Sequence, residues 1–235
     1  MKRFIISLLT IVALGSINVA ENNCFAQEST MLNNYYSKVC ENGKCGIYAA
    51  FDREMITPMQ YDDIVLINET GFCKVKMNGK WGIYSLDFRR EASYVKYDDI
   101  ASIQMNGNKC LKVAQNGKWA ILDTFTGREL TTFKYDKVEP LWQDYFKVYV
   151  GNQCGLVQIQ KMGMVSVKEV VPVAFSDVQT FYSSTEFKIV QNGRSGVYST
   201  RLNKIVVEPN YDDVKEPRYD SVNTLSNGVW SVVRW

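Results

Sequence analysis

A short turn-and-strand motif that recurs six times constrains this chain more than any other feature. The copies begin at Asn42 (NGKCGIY), Asn78 (NGKWGIY), Asn116 (NGKWAIL), Gly151 (GNQCGLV), Asn192 (NGRSGVY) and Asn227 (NGVWSVV). Their fourth residues are Cys45, Trp81, Trp119, Cys154, Ser195 and Trp230, spaced by 36, 38, 35, 41 and 35 residues. A steady period of roughly 20–50 residues is the signature of a repeat architecture. Asn-Gly between alternating apolar runs is the strongest short signal for a β-hairpin, because both central residues of a type I′ turn need positive φ. Gly-Asn in the fourth copy reads as equally suited to that turn. A two-residue turn fixes the strand register. It sets the Trp position across from Cys40, Lys76, Ala114, Tyr149, Val190 and Leu225 in turn, and such cross-strand pairs stabilise a sheet.

A second marker follows each turn: Tyr61-Asp62-Asp63-Ile64, Tyr97-Asp98-Asp99-Ile100, Tyr135-Asp136-Lys137-Val138, Phe175-Ser176-Asp177-Val178 and Tyr211-Asp212-Asp213-Val214. Its aromatic lies 15 residues beyond the residue after the Trp position in four repeats and 20 beyond it in the fourth. The fourth repeat therefore carries a five-residue insertion within Val157–Val171. Pro58, Pro172 and Pro209 just ahead of the marker point to a sheet edge or the start of a strand rather than a central strand.

The Gly79-Lys80-Trp81-Gly82 stretch followed by Tyr97-Asp98-Asp99-Ile100, together with its degenerate copies, resembles the WG-repeat (KWG-repeat) family of bacterial proteins. The resemblance runs from about Tyr36 to the end of the chain. Cys45, Cys154 and Ser195 stand in place of Trp, and Ala120 and Ser231 in place of Gly. It implies an all-β repeat protein, often exported, usually with no established enzymatic role, and it transfers no catalytic residues.

The expected architecture is a tandem array of antiparallel β-hairpin repeats of about 36 residues, five full repeats and a terminal half, over residues 27–235. An open, twisted array is expected, with a propeller-like ring as the alternative. Phe72, Leu111, Phe146 and Phe187, then Val75, Val113, Val148 and Ile189, then Ile83, Ile121, Leu156 and Val197 are the expected core. Residues 1–26 read as a secretory signal peptide, with Lys2 and Arg3 ahead of the apolar run Phe4–Leu14. Cleavage is expected after Ala26, with Ala20 as the alternative. The apolar run is shorter than the ~20 residues a spanning helix needs, so no membrane span is expected after cleavage. Export then places the mature chain in the periplasm, on the cell surface or outside the cell.

Charge and residue types narrow the chemistry. Without residues 1–26 the chain has 25 basic and 24 acidic residues, a near balance that argues against a nucleic-acid partner. It has no histidine, which removes Ser-His-Asp and Cys-His nucleophilic pairs and most zinc sites. No phosphate-binding glycine motif occurs. No catalytic residue, cofactor or metal is expected, and the chain is not read as an enzyme. The Asp-Asp pairs invite a glycosidase or calcium reading. Neighbouring strand residues point to opposite faces, however, so a structural role at turns is preferred. Cys40 and Cys45 face each other across the first turn, and a hairpin disulfide between them is expected as the candidate bridge. Cys73 and Cys110 hold near-equivalent strand positions in adjacent repeats, which leaves open that they are neighbours. Trp81, Trp119 and Trp230 form a stripe at the repeat period, and Trp142 and Tyr145 stand off it. These five are the candidate partner surface. The favoured function is a non-enzymatic scaffold that binds a protein partner; a glycan or cell-wall module built on the Trp stripe is the alternative.

Overall fold

The computed structural model describes residues 28–67, 71–103, 110–160, 164–181 and 185–235; the expected signal peptide lies outside them. These residues form 23 strands and no helix. Sheet 1 is the antiparallel meander β1 (Glu28–Met31), β2 (Tyr36–Glu41), β3 (Lys44–Ala49) and β4 (Glu54–Met55). Sheet 2 follows with β5 (Asp63–Ile67), β6 (Phe72–Met77), β7 (Lys80–Ser85) and β8 (Arg90–Tyr97). Sheet 3 contains β9 (Asp99–Ser102), β10 (Cys110–Gln115), β11 (Lys118–Asp123) and β12 (Arg128–Glu129). Sheet 4 is β13 (Lys137–Trp142), β14 (Tyr145–Val150), β15 (Gln153–Gln160) and β16 (Ser166–Phe175). Sheet 5 is β17 (Asp177–Thr180), β18 (Glu186–Gln191), β19 (Arg194–Ser199) and β20 (Lys204–Tyr211). Sheet 6 has three strands, β21 (Asp213–Arg218), β22 (Ser221–Ser226) and β23 (Val229–Arg234). The unit is thus a four-stranded sheet in which the Asn-Gly turn joins the second and third strands. Pro172 and Pro209 sit in the outermost strands, where a missing N–H is tolerated.

The turns hold the expected register. Cys40 pairs with Cys45, Lys76 with Trp81, Ala114 with Trp119, Tyr149 with Cys154, Val190 with Ser195 and Leu225 with Trp230. Asn78 and Gly79 both take positive φ, 51° and 78°, as a type I′ turn requires. The fourth turn differs: Gly151 takes φ 59° and Asn152 is not left-handed, so glycine in first place changes the turn.

Each of sheets 2 to 5 buries one face against the sheet before it and the other against the sheet after it. Ile47 packs forward onto Val75 and Tyr84 of sheet 2, and Ile83 onto Leu111 and Val113 of sheet 3. Ile121 packs onto Phe146 and Val148, Leu156 onto Phe187 and Ile189, and Val197 onto Val222. All five forward-facing residues are fully buried, each a gain of about 1.5–3 kcal/mol. Val232 holds the same register place in sheet 6, across from Asn223, yet is 62 % exposed. Among the described residues no hydrophobic cluster joins sheet 6 to sheet 1. The array is therefore open at sheet 6. Cys73 and Cys110 are not neighbours: Cys73 faces sheet 1 and Cys110 faces sheet 4, because their places differ by one residue and so fall on opposite faces.

The Tyr-Asp-Asp marker latches consecutive sheets. Its aromatic crosses the Trp position at the sheet edge, as in Trp81 with Tyr97 and Trp119 with Tyr135. The first aspartate then does two things. Asp62 accepts from Lys44 Nζ at 2.6 Å with one oxygen and caps the next turn through the Asn78 N–H at 2.7 Å with the other. Asp98 does the same with Lys80 and Asn116, Asp136 with Lys118 and Gly151, and Asp212 with Arg194 and Asn227. The second aspartate accepts from a lysine of the preceding sheet: Lys38 to Asp63 at 3.0 Å, Lys74 to Asp99 at 2.9 Å, Lys147 to Asp177 at 2.7 Å and Lys188 to Asp213 at 2.5 Å. Degenerate copies change on both sides of the latch. Where Ser176 replaces the first aspartate, Gln153 replaces the lysine and donates to the Ala174 carbonyl. Where Lys137 replaces the second, Lys112 turns to the Val138 carbonyl, and burial lowers its pKa. Lys137→Asp should give Lys112 an ion partner and raise stability by about 0.5–1 kcal/mol, read as a higher urea midpoint; an unchanged or lower midpoint would count against the latch.

The latch also sets a pH dependence. The Lys44 and Asn78 hydrogen bonds hold the Asp62 carboxyl below the usual range, and the equivalent bonds from Lys80 with Asn116, and Lys118 with Gly151, do so for Asp98 and Asp136. In Asp177 and Asp213 burial acts to raise the pKa, but the hydrogen bonds from Lys147, Gln179 and the Val178 N–H, and from Lys188 and the Val214 N–H, together with the lysine charges, outweigh it and lower the pKa. A carboxyl depressed in the folded state contributes stability above its unfolded pKa and loses it as pH falls through the folded value. Stability is expected to be level above about pH 5 and to fall below about pH 4. Urea midpoints measured across that range check this, and a midpoint that rises on acidification would contradict it.

Candidate interaction surface

Each sheet has two ends, and they differ in chemistry. The Asn-Gly end carries the Trp positions, the lysines and the aspartate caps. The opposite end carries, in sheets 1, 2, 3 and 5, the four-residue turns between third and fourth strands. Three of these turns hold a phenylalanine: Phe51 in sheet 1, Phe88 in sheet 2 and Phe125 in sheet 3. They are 89 %, 48 % and 64 % exposed. Leu202 in the sheet 5 turn is also exposed.

The three turns are tied to one another. The Phe88 and Phe125 rings meet edge to face with centroids 6.1 Å apart. Arg89, next to Phe88, reaches back to the sheet 1 turn, where it pairs with Asp52 and with Glu54 at 3.3 Å. Donation to Asp52, aided by donation to the Tyr36 hydroxyl oxygen, raises the Arg89 pKa. Arg90 lies over the Phe88 ring at 5.6 Å. Gly127 closes the Phe125 turn with φ 70°, and a Cβ there would stand 2.1 Å from the Ala92 carbonyl oxygen of β8. The result is an aromatic ridge along sheets 1 to 3, framed by arginines and held in place. Single exposed apolar side chains are ordinary, whereas a set aligned on one end of the array is a candidate interaction surface.

The residues singled out from the sequence sit elsewhere. Trp81 and Trp119 are half-buried against the cores between sheets. Lysine ammonium groups lie over their rings: Lys74 at 4.7 Å and Lys76 at 5.3 Å on Trp81, and Lys112 at 5.0 Å on Trp119. Trp230, 41 % exposed, has Lys215 at 4.2 Å. A sugar stacking on these faces would have to displace the lysines. Trp142 and Tyr145 are on strands, at the end of β13 and the start of β14, and stack with a 7° interplanar angle. Tyr145 also packs on Phe187. The phenylalanine ridge escaped the sequence reading. Its signal was present, since Phe51, Phe88 and Phe125 recur at 37 residues, but it lies in the weakly patterned turn between the two markers.

A disulfide joins Cys40 and Cys45, with Cys45 on the place where sheets 2, 3 and 6 have Trp. Cys73, Cys110 and Cys154 are buried thiols, and burial pushes Cys73 up to about 12. Alkylation of the native protein should leave these three unmodified, with labelling only on unfolding; native labelling of Cys73 would contradict its burial. Reduction should lower stability by up to about 2 kcal/mol, since the bridged loop is short and its turn already sets the register. Among the described residues, no group of three cysteine, aspartate or glutamate side chains converges as a metal site.

The family model for the WG containing repeat matches residues 52–81, which run from the sheet 1 turn through Trp81. The same turn, Trp position and Tyr-Asp latch recur in the other sheets. Residues 52–81 are thus a WG containing repeat. No curated protein matches its sequence. Among solved structures, Kluyveromyces lactis Hsv2 is 13% identical with a TM-score of 0.37, over 85% of this chain and 71% of that one. PorZ, a surface component of the type-IX secretion system of Porphyromonas gingivalis, is 10% identical with a TM-score of 0.35, over 88% of this chain and 32% of that one. The extracellular domain of the hybrid two-component system BT3049 from B. thetaiotaomicron is 11% identical with a TM-score of 0.31, over 91% and 35%. No helix among the described residues is long and apolar enough to cross a membrane.

Proposed function

We propose that this chain is an exported, non-enzymatic scaffold that binds another protein, and that the Phe51–Phe88–Phe125 ridge is the centre of the contact. The observation that carries this is the ridge itself. Its rings are exposed at the loop end of three consecutive sheets, pinned by Arg89 and by the close approach of Gly127 to β8. Aromatic side chains with arginine beside them, as Arg90 lies on Phe88, are the composition of binding hot spots. Stacked repeats make an extended surface suited to this use. Export is supported by the leader-like residues 1–26 and by the Cys40–Cys45 disulfide, which persists in an oxidising compartment.

The test is site-specific photo-crosslinking in the cell envelope, with benzoyl-phenylalanine at Phe51, Phe88 or Phe125 and, as a control, at exposed Val150 on the Asn-Gly end. One discrete protein adduct shared by the ridge positions and absent from Val150 is expected. Saturable retention on protein-free cell wall, lost on replacing Trp81 and Trp119 but kept on replacing the three phenylalanines, would overturn the proposal in favour of glycan binding. Retention on protein-free lipid vesicles that depends on the phenylalanines would overturn it in favour of a membrane surface.

A further inference from the structure

Sheets 1 and 3 end in covering segments that match bond for bond. Each has a two-residue fourth strand, β4 or β12. The Ile56 N–H donates to the Ile47 carbonyl at 2.8 Å, and the Leu130 N–H to the Ile121 carbonyl at 2.7 Å. Thr57 accepts the Ile47 N–H at 2.8 Å, and Thr131 accepts the Ile121 N–H at 3.0 Å. The Gln60 N–H closes on the Pro58 carbonyl and the Lys134 N–H on the Thr132 carbonyl, both at 3.0 Å. Tyr61 and Tyr135 then cross Cys45 and Trp119. The two segments therefore present the same frame to the sheet that follows.

What fills the frame differs. In sheet 2, Tyr84 packs back against Ile56 and Tyr61, and its hydroxyl donates to the Ile56 carbonyl at 3.1 Å. Beside it, the Tyr61 hydroxyl donates to Glu91 at 3.2 Å, and Glu91 pairs with Tyr84 across the ladder. In sheet 4 the place of Tyr84 belongs to Val157, and Glu169 pairs with it as Glu91 pairs with Tyr84. Leu122 and Tyr198 hold that place in sheets 3 and 5, so valine is the smallest occupant where two sheets meet. Sheets packed to ordinary density leave few voids, and a ring replaced by two methyl groups leaves one. A cavity of about 280 Å³ lies here, lined by Leu130, Thr132, Lys134, Tyr135, Val157 and Glu169 among others. Tyr135 and Val157 are buried at its floor, and Thr132, Lys134 and Glu169 are exposed at its rim. Among the described residues no donor reaches the Leu130 carbonyl, and no hydrogen bond joins Tyr135 to Glu169, which faces Lys134 at 3.7 Å instead.

We infer that the cavity between sheets 3 and 4 binds a small molecule carrying a phenol, held as Tyr84 is held between sheets 1 and 2. The ring lies on Val157 and Tyr135, and the hydroxyl donates to the Leu130 carbonyl, the counterpart of the Ile56 carbonyl. The volume exceeds the ~150 Å³ of an apolar cavity that takes up benzene. It stands near the lower bound of ligand pockets, roughly 300 Å³, so the ligand is little larger than one substituted ring. The para carbon meets Val157, where Tyr84 carries its own Cβ. Only a small group fits there, which excludes the tyrosine side chain of a partner protein.

The probe is 4-fluorophenol, titrated into the full chain and followed by fluorine NMR. Saturable binding is expected, with proton contacts from the ring to the methyl groups of Val157 and Leu130. Fluorobenzene, which lacks the donor, should bind roughly tenfold more weakly. N-acetyltyrosinamide should be weaker by at least as much. Val157→Tyr should seat its own ring in the cavity and abolish binding, with a urea midpoint at or above that of the parent chain. Should that variant not fold, the methyl contacts in the parent chain decide. Phe88→Ala, which removes a ridge ring, should leave the affinity unchanged. Absence of saturable binding at millimolar 4-fluorophenol, equal affinity for fluorobenzene, contacts only to other methyl groups, or binding kept by a folded Val157→Tyr chain would overturn the inference. Loss of binding in Phe88→Ala would overturn it in favour of the ridge, and tighter binding of N-acetyltyrosinamide would overturn it in favour of a protein tyrosine.

Discussion

Phe146→Ala is expected to destabilise the protein by about 3–5 kcal/mol. Phe146 is fully buried between sheets 3 and 4, among Cys110, Ile121 and Tyr135. Removing the ring leaves a cavity that two sheets, each held by its own ladder, can close only in part. Equilibrium urea unfolding measures this, and a loss under about 1 kcal/mol would mean that the sheets are not packed as described. Phe125→Ala, the same chemical change on the ridge, should cost no more than about 0.5 kcal/mol. Because contacts run mainly between neighbouring sheets, the Phe146 lesion should loosen the junction of sheets 3 and 4 while sheets 1 and 2 keep most of their exchange protection.

Gly196→Ala should cost about 2–3 kcal/mol through overpacking. A Cβ there would lie 2.4 Å from the Val207 carbonyl oxygen, 2.7 Å from the Pro209 nitrogen and 2.8 Å from the Glu208 carbonyl carbon. All three are backbone atoms of β20, so no side-chain rotation relieves the clash. Gly193→Ala, three residues earlier in the turn, meets nothing within 4 Å and pays only for its φ of 73°, about 1–2 kcal/mol. Thermal melts of the two variants separate the explanations. Equal losses would show that backbone conformation, and not the approach of the fourth strand, governs the glycine of the motif.

Much of this fold is legible in the sequence because a two-residue turn leaves no freedom of register. Once Asn78-Gly79 is a turn, Lys76 must face Trp81, and Val75 and Ile83 fall on opposite faces of one hairpin. The period then carries that solution along the chain. The fourth strand was less legible, since its bulges shift register between the Trp position and the residues beyond it. The partners of the Tyr-Asp marker lie in two different sheets, so its latch is visible only in three dimensions. The ridge was hidden for the same reason: Phe51, Phe88 and Phe125 look like core residues until their turns are seen to project. The lysines over Trp81 and Trp119 come from the strand across the hairpin, and the sequence shows them only as the polar half of an alternating pattern.

Native-state hydrogen exchange of backbone amides tests directly whether the array is open at sheet 6. The Trp119 amide, bonded to the Tyr135 carbonyl, and the Ile121 amide, bonded to Thr131, should exchange slowly. The Trp230 and Val232 amides, in the same register places of β23, should exchange close to the rate of an unprotected chain, while Ser231 and Val233, bonded to β22, should be slower. Protection of Trp230 and Val232 equal to that of Trp119 and Ile121 in the isolated protein would mean that a strand already covers β23, and would contradict the open array.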